Sequence, residues 1–255
     1  MVEQVMRVLR LFTPERPELG VTEAAELLER PKSTVSRWLT AMHRGGLLAR
    51  DPDTGLYRLS LSLAAMGEVA RASTSLQRVA RPLLETLVER TGETSNLVVL
   101  DGHAAVNVEV VRSRQAVQHV GVLGRRLPLH ATAAGKALLA WAPEGLREEA
   151  LCGPLRPLAS RTQVNPAALM AELEQVRVQG YATAAAELEE ELAAVSAPVR
   201  DHRGEVVAAV TTSAPISRMT PDHWKAIIRE VTTVAGQISA ELGLPIPHSH
   251  LQRSS

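Results

Sequence analysis

The stretch from Pro31 to Leu59 constrains the fold of this chain more than any other feature. Val35, Leu39 and Met42 recur at the i, i+4, i+7 spacing of one buried helix face. Polar side chains occupy the opposite side, and Gly45-Gly46 ends the helix. Two short apolar runs follow, 47–50 and 56–59, separated by the turn sequence Asp51–Gly55. The pattern predicts a helix over 32–44 followed by a β-hairpin.

The residues before this helix predict two more helices. An apolar stripe runs from Val5 to Phe12 and is closed by Pro14 and Pro17. Thr22 is the predicted N-cap of a second, short helix. The order helix, helix, helix, hairpin is typical of a winged helix-turn-helix.

Charge distribution connects this segment to DNA. The chain is formally neutral, with 28 Lys plus Arg and 28 Asp plus Glu, yet residues 30–50 hold five basic side chains and no acid. A recognition helix needs such a face for base edges and phosphates. The predicted DNA contacts are Lys32, Ser33, Thr34, Ser36, Arg37, Thr40, Arg44, Arg50 and Arg58. A solvated basic face, or a helix used for protein contacts, is the alternative.

The remainder mixes strands and helices, so the predicted class is α+β. We expect a DNA-binding domain over 1–60, a linker helix over 61–75, a second domain over 76–243 and a flexible tail over 244–255. The single cysteine, Cys152, excludes an intrachain disulfide. No signal peptide and no apolar run of ~20 residues is present, which predicts a cytoplasmic protein without membrane contact. We expect no cofactor, and the histidines do not have the spacing of metal ligands.

Five stretches together resemble the IclR-type transcriptional regulators over nearly the whole chain. They are Pro31–Arg37 (PKSTVSR), Asp51–Leu59 (DPDTGLYRL), Leu127–Ala140 (LPLHATAAGKALLA), Arg177–Ala182 (RVQGYA) and Ala197–Val199 (APV). The resemblance implies a winged helix-turn-helix, a linker helix and a GAF-like α/β effector domain around an antiparallel sheet. It also implies homodimers or homotetramers that bind a palindromic double-stranded DNA operator and sense a small organic metabolite.

The resemblance also places an effector cavity. Its predicted lining residues are Val117, Ala133, Ala184, Ala194, Thr211 and Ser213, while His130 either orients a ligand or acts as a structural cap. Relatives that hold small oxoacids resemble Gly-Tyr-Ala-x-Asp-Asp-Glu-Glu, where this chain reads GYATAAAE over 180–187. Some oxoacid-binding relatives have a Cys where this chain has Ala194. The glycine that relatives usually have before the last strands of the sensor is replaced here by Glu191. Methyl groups in place of polar groups predict a more apolar cavity and an aromatic or amphipathic carboxylate as effector.

Two other interpretations compete with this one. A GAF-like domain with Ser213, His130 and Glu187 is imaginable as a hydrolase, but the sequence contains no G-x-S-x-G motif. The chain is therefore predicted not to be an enzyme. A degenerate sensor that binds no effector is the second possibility. Independently of this, Thr211 and Ser213 have an alternative interpretation as satisfied hydroxyls of the sheet.

Overall fold

The structure is a computed structural model that describes residues 2–13, 15–73, 75–116 and 121–244. The chain divides into two compact units, Met1–Thr74 and Ser75–Ser255, and each is considered by itself. The segment predicted as a linker helix falls almost entirely in the first unit. Val117 and the predicted tail from Pro245 onward lie outside the described residues.

The first unit contains the predicted three helices and hairpin. Its elements are α1 (Val2–Leu9), β1 (Glu18–Leu19), α2 (Val21–Leu28), α3 (Lys32–Arg44), β2 (Leu48–Arg50), β3 (Tyr57–Leu59) and α4 (Leu61–Ser73). The strands form an antiparallel sheet in the order β1-β3-β2. Val35 and Leu39 of α3 are fully buried in the core between the helices, as their spacing predicts.

Two details of this unit differ from the predictions. The sequence predicts Thr22 as a helix cap, but α2 begins at Val21 after an extended Gly20, with no side-chain cap. Helix α1 ends at Leu9, so Phe12 lies beyond the helix, although it is still buried. The sequence does not predict strand β1, because a strand of two residues is too short to show an alternation of apolar and polar side chains.

The turn of the hairpin is held by one carboxylate. Asp51 Oδ1 accepts hydrogen bonds from the backbone N–H groups of Asp53 and Thr54, at 3.0 and 2.8 Å, and from the Thr54 hydroxyl at 2.9 Å. These bonds lower the pKa of Asp51, the Thr54 bonds contributing most. Gly55 has a φ of +71°, which glycine adopts without strain.

The second unit is a sheet covered by helices on both faces. Its helices are α5 (Ser75–Thr91), α6 (Ala133–Leu139), α7 (Glu144–Leu151), α8 (Pro166–Gln179) and α9 (Pro221–Glu241), and a 3₁₀ turn spans Ile216–Arg218. Its strands are β4 (Thr94–Asp101), β5 (Ala104–Val111), β6 (Arg126–Pro128), β7 (Ala182–Ala185), β8 (Leu192–Arg200) and β9 (Val206–Pro215).

Among the described residues the antiparallel sheet runs β6-β5-β4-β9-β8-β7. One apolar core lies between the sheet and α5 with α9, and a second lies between the opposite face and α6 with α8. The alternation of side chains along each strand sends successive residues into different cores. With the N-terminal winged helix-turn-helix, this arrangement confirms the predicted α+β class.

The region around α6 is shorter and more constrained than predicted. The sequence predicts a helix over 131–141, whereas α6 spans Ala133–Leu139 and Thr132 caps it by accepting the Gly135 N–H at 3.0 Å. His130 is therefore not the cap. A Cβ at Gly135 would lie 2.4 Å from the Leu129 carbonyl oxygen, so glycine is required by close packing.

Candidate functional site

The solvent-facing side of α3 carries the polar residues that the sequence singles out. Ser36, Arg37, Thr40 and Arg44 line one shallow groove on the helix surface, and Lys32 and Ser33 are exposed at its start. The Pro31 carbonyl accepts hydrogen bonds from the Thr34 and Val35 N–H groups. The N–H groups of Lys32 and Ser33, which precede them in the first turn, have no acceptor among the described residues, a geometry that suits phosphate oxygens.

The cations of this helix are free to meet a ligand. Within the part of the chain that the structure describes, the side chains of Lys32, Arg37 and Arg44 make no hydrogen bond or ion pair. Helix α3 itself contains no acidic residue. The result is a positive surface whose cationic donors are left unused by the described residues.

The two arginines of the hairpin are partly engaged. Arg50 Nε donates to the Gly55 carbonyl at 3.2 Å, and its guanidinium lies 5.5 Å from the centre of the Tyr57 ring. Arg58 pairs with Glu18 at 3.4 Å. Both side chains remain exposed. Their contribution to DNA contact stays a prediction, and Arg58 would have to share its charge with Glu18.

A second candidate site lies in the other unit, between the sheet and the start of α6. We call it the sheet cavity. The space inside it, counted together with the open solvent at its mouth, is about 500 Å³. It is lined by Asn96, Val98, Asn107, Arg125, Leu127, Ala131, Thr132, Ala133, Ala134, Ala184, Leu188, Leu192, Ala194, Thr211 and Ser213.

Strand register explains why the predicted lining residues meet. Ala194 of β8 lies opposite both Ala184 of β7 and Ser213 of β9, while Thr211 of β9 lies opposite Asn96 of β4. These residues project from one face of the sheet toward α6. The structure thus brings five predicted residues into one cavity; that this cavity binds an effector stays a prediction.

The two predicted hydroxyls of the cavity differ in their partners. Thr211 Oγ1 lies 2.8 Å from Ser196 Oγ, which also donates to the Val210 carbonyl at 3.1 Å. Ser213 Oγ makes no hydrogen bond within the described residues. The interpretation as a satisfied sheet hydroxyl therefore fits Thr211, and Ser213 keeps its full hydrogen-bonding capacity.

His130 is placed differently from the other predicted residues. It does not line the cavity, and its Nε2 lies 3.0 Å from the Arg156 carbonyl oxygen. Glu187 binds Lys136 instead of His130 or Ser213. His130 and Glu187 thus engage different partners, and Ser213 forms a hydrogen bond with neither of them in the described part of the chain. Val117 cannot be placed because it lies outside the described residues.

Sequence reasoning missed four polar residues of the cavity, namely Asn96, Asn107, Arg125 and Thr132, the cap of α6. Asn96 and Asn107 interrupt strands that are otherwise rich in branched apolar residues, and a lone amide in such a strand is a usable signal. Arg125 carried no such signal. Arg126 follows it directly, and only the register of β6 decides which of the two arginines faces the cavity.

A buried lysine ties the helix beside the cavity to the loop after β7. Lys136 is fully buried and its Nζ donates to Glu172 at 2.6 Å and to both oxygens of Glu187 at 2.9 Å. Burial raises the pKa of Glu187 although Lys136 acts in the opposite direction. Ala186 in this loop has a φ of +55°. The sequence signal was a single Lys within the apolar stretch around α6.

Two kinds of feature are absent from residues 2–13, 15–73, 75–116 and 121–244. No group of three or more His, Cys, Asp or Glu side chains there has the arrangement to hold a metal ion. No helix there is both long and apolar enough to pass through a bilayer.

Two family models match the chain. The IclR helix-turn-helix domain matches residues 2–52, and the bacterial transcriptional regulator IclR C-terminal domain matches residues 69–240. The first match contains α3 with its polar face. The second contains all described residues that line the sheet cavity.

Named relatives are similar over almost the full length. The transcriptional regulator XynR of Escherichia coli K12 is 35% identical over 96% of this chain and 97% of its own. The regulator KdgR of the same organism is 33% identical over 95% and 92%. The repressor AllR of Salmonella typhimurium LT2 is 31% identical over 96% and 91%.

Solved structures agree with this assignment. An IclR-type regulator from Silicibacter sp. TM1040 superposes with a TM-score of 0.88 at 28% identity, covering 97% of this chain and 98% of that one. An IclR homologue from Microbacterium hydrocarbonoxydans, complexed with 4-hydroxybenzoate, has a TM-score of 0.80 at 28% identity and covers 94% and 98%. The chain is a transcriptional regulator with a DNA-binding helix-turn-helix, and it belongs to the IclR family.

Proposed function

We propose that the protein binds an operator through α3 and that a small organic acid in the sheet cavity modulates this binding. The observation that carries the DNA half is the free polar face of α3. Arg37 lies at its centre, where a guanidinium can donate two hydrogen bonds to the edge of a guanine. Lys32 and Arg44, nearer the two ends of the helix, are suited to phosphates.

We further propose that the operator is palindromic and that the protein binds it as a dimer or tetramer. A single recognition helix reads only a few base pairs, and a two-fold assembly doubles that site. The resemblance to IclR-type regulators supports this arrangement.

The sensor half is supported by the make-up of the sheet cavity. Alanine and leucine side chains supply most of its walls, and a few polar groups lie between them. This mixture suits an aromatic or amphipathic carboxylate. The Microbacterium homologue that holds 4-hydroxybenzoate makes this compound the first probe to try.

The DNA half is tested by selecting duplexes from a randomised pool with the purified full chain. We expect enrichment of one sequence with two-fold symmetry, whose affinity falls steeply with salt because phosphates are neutralised. Retention of DNA without any sequence enrichment would reject the operator proposal.

The sensor half is tested by thermal unfolding in the presence of small carboxylates, including 4-hydroxybenzoate. A compound that binds only the folded state raises the midpoint, by roughly 2.7 kcal/mol of stability at about 100 times its Kd. The double variant Thr211→Val/Ser213→Ala should lose this shift. A shift of equal size in the variant would place the ligand outside the sheet cavity.

A further inference from the structure

The polar groups of the sheet cavity lie at two different depths. Asn96 and Asn107 are buried, with 4% and 3% of their surface exposed. The Arg125 side chain lines the same cavity but is 31% exposed. A ligand that fills the cavity therefore meets amides at the buried end and a guanidinium near solvent.

The buried amides have unused acceptors. Asn107 Nδ2 donates to the Val122 carbonyl at 3.1 Å, which fixes the orientation of the amide, and its Oδ1 has no hydrogen-bond partner in the described part of the chain. Asn96 Oδ1 likewise has none there. Buried acceptors without partners are uncommon in folded proteins and require an explanation. A donor group on a ligand would satisfy one of them.

The guanidinium of Arg125 already holds a carboxylate. Its Nη2 donates to Glu189 Oε1 at 3.1 Å. Glu189 belongs to the segment between β7 and β8, and its neighbours Leu188 and Leu192 line the cavity. The ion pair therefore joins the loop before β6 to the segment between β7 and β8, in which Leu188 lines the cavity.

We propose that Arg125 is the residue that recognises the acidic group of the effector, and that the ligand carboxylate replaces Glu189 as its partner. The proposal rests on the function proposed above. The ligand is then a small acid with an apolar body and, at its far end, a hydroxyl that donates to Asn96 or Asn107. When the cavity fills, the segment between β7 and β8 loses its contact with Arg125 and keeps the bond between Glu187 and Lys136.

The exchange is physically inexpensive. The Glu189 side chain is 46% exposed, and an ion pair that is half in water contributes little net stability because water competes with both partners. A ligand carboxylate held against the cavity wall is less hydrated and interacts more strongly. The apolar side chains that accommodate the body of the ligand are those of Val98, Leu127, Leu188 and Leu192.

The test measures binding of three probes to the full-length protein by calorimetry: 4-hydroxybenzoate, benzoate and 4-hydroxybenzamide. Arg125→Gln should weaken binding of 4-hydroxybenzoate by roughly tenfold to a hundredfold, because charge-assisted hydrogen bonds are lost, and should leave the amide unaffected. Glu189→Gln should strengthen binding of the acid by roughly twofold to fivefold. Benzoate should bind more weakly than its hydroxylated form.

Arg126→Gln is the matched control. This neighbouring arginine pairs with Asp101 and does not line the cavity. It should leave the affinity of every probe unchanged. Equal weakening by Arg125→Gln and Arg126→Gln would show a general electrostatic effect and overturn the proposal. Unchanged affinity for the acid in Arg125→Gln would also overturn it.

Operator binding of the same samples separates this proposal from the proposed function. If the wild type binds its selected operator but none of the three probes, the effector class is wrong and DNA recognition stands. If the acid binds in the predicted way and no operator is selected, the cavity assignment stands and DNA recognition fails.

Discussion

The polar side chains of α3 and those around the sheet cavity differ in whether the protein itself supplies their partners. Arg37 and Arg44 of α3 are exposed and use none of their donors within the described chain. Lys136 beside the cavity is fully buried and is bound by Glu172 and Glu187. Substitutions of the exposed polar residues of α3 should therefore change DNA binding and spare the fold, whereas substitution of the buried Lys136 should lower stability.

The largest expected effect is the loss of Lys136. Lys136→Met leaves the carboxylate of Glu187, only 12% exposed, without its cation. Removal of one partner from a buried ion pair costs about 3–5 kcal/mol. Thermal or denaturant unfolding measures this loss. Lys225→Met is the control, since this lysine is 80% exposed and should change stability very little. Equal stability of the two variants would contradict the assigned role of the buried pair.

A second substitution tests the packing beneath the cavity. Gly135→Ala forces a methyl group against the Leu129 backbone, and overpacking of this kind costs about 1–3 kcal/mol. Gly145→Ala in α7 is the matched change, because nothing lies within 4 Å of its added methyl. It should be neutral or stabilising by up to about 1 kcal/mol. Denaturant midpoints that fall equally in both would rule out the close approach.

The third prediction concerns the phosphate contacts of α3. Lys32→Ala and Arg44→Ala should alter stability by no more than about 0.5 kcal/mol, since both side chains are exposed. Each should weaken binding to all DNA sequences alike and reduce the salt slope of affinity by about one. Fluorescence anisotropy at several salt concentrations measures this slope. A slope identical to that of the wild type would remove these residues from the interface.

The smallest effect is a pH dependence from Glu187. Its pKa in the folded protein is raised above the ordinary value of 4.5, mainly by burial. The folded state consequently binds this proton more tightly than the unfolded state, so the contribution is present below pH 4.5 and is lost as pH rises through the folded pKa. Relative to Glu187→Gln, the wild type should lose stability over that window. Parallel stability curves for the two proteins would contradict this sign.

The comparison of α3 with the sheet cavity also explains which features can be predicted from the sequence. Helix α3 and its hairpin follow from local spacing, because Val35, Leu39 and Met42 define the buried face without reference to distant residues. The cavity depends on pairings such as Asn96 with Thr211, which lie far apart in sequence. The resemblance to relatives supplied Ala184, Ala194, Thr211 and Ser213. Asn107 carried a signal as a lone amide in an apolar strand, whereas the position of Arg125 became visible only once the register of β6 was known.

Helix boundaries show a related limit. The sequence placed a cap at Thr22, where any hydroxyl before an apolar run qualifies, but tertiary packing starts α2 at Val21. Thr132 caps α6 beside His130 in the same motif. Only the observed hydrogen bonds show which of two neighbouring residues caps the helix.

The base preference of Arg37→Ala tests the central claim most directly. Duplexes selected from a randomised pool by this variant and by the wild type should differ at one position in each half-site, where the variant accepts other bases. Affinity for the wild-type operator should fall by about 1–3 kcal/mol. Identical selected sequences and equal affinity would show that α3 does not read DNA and would contradict the account.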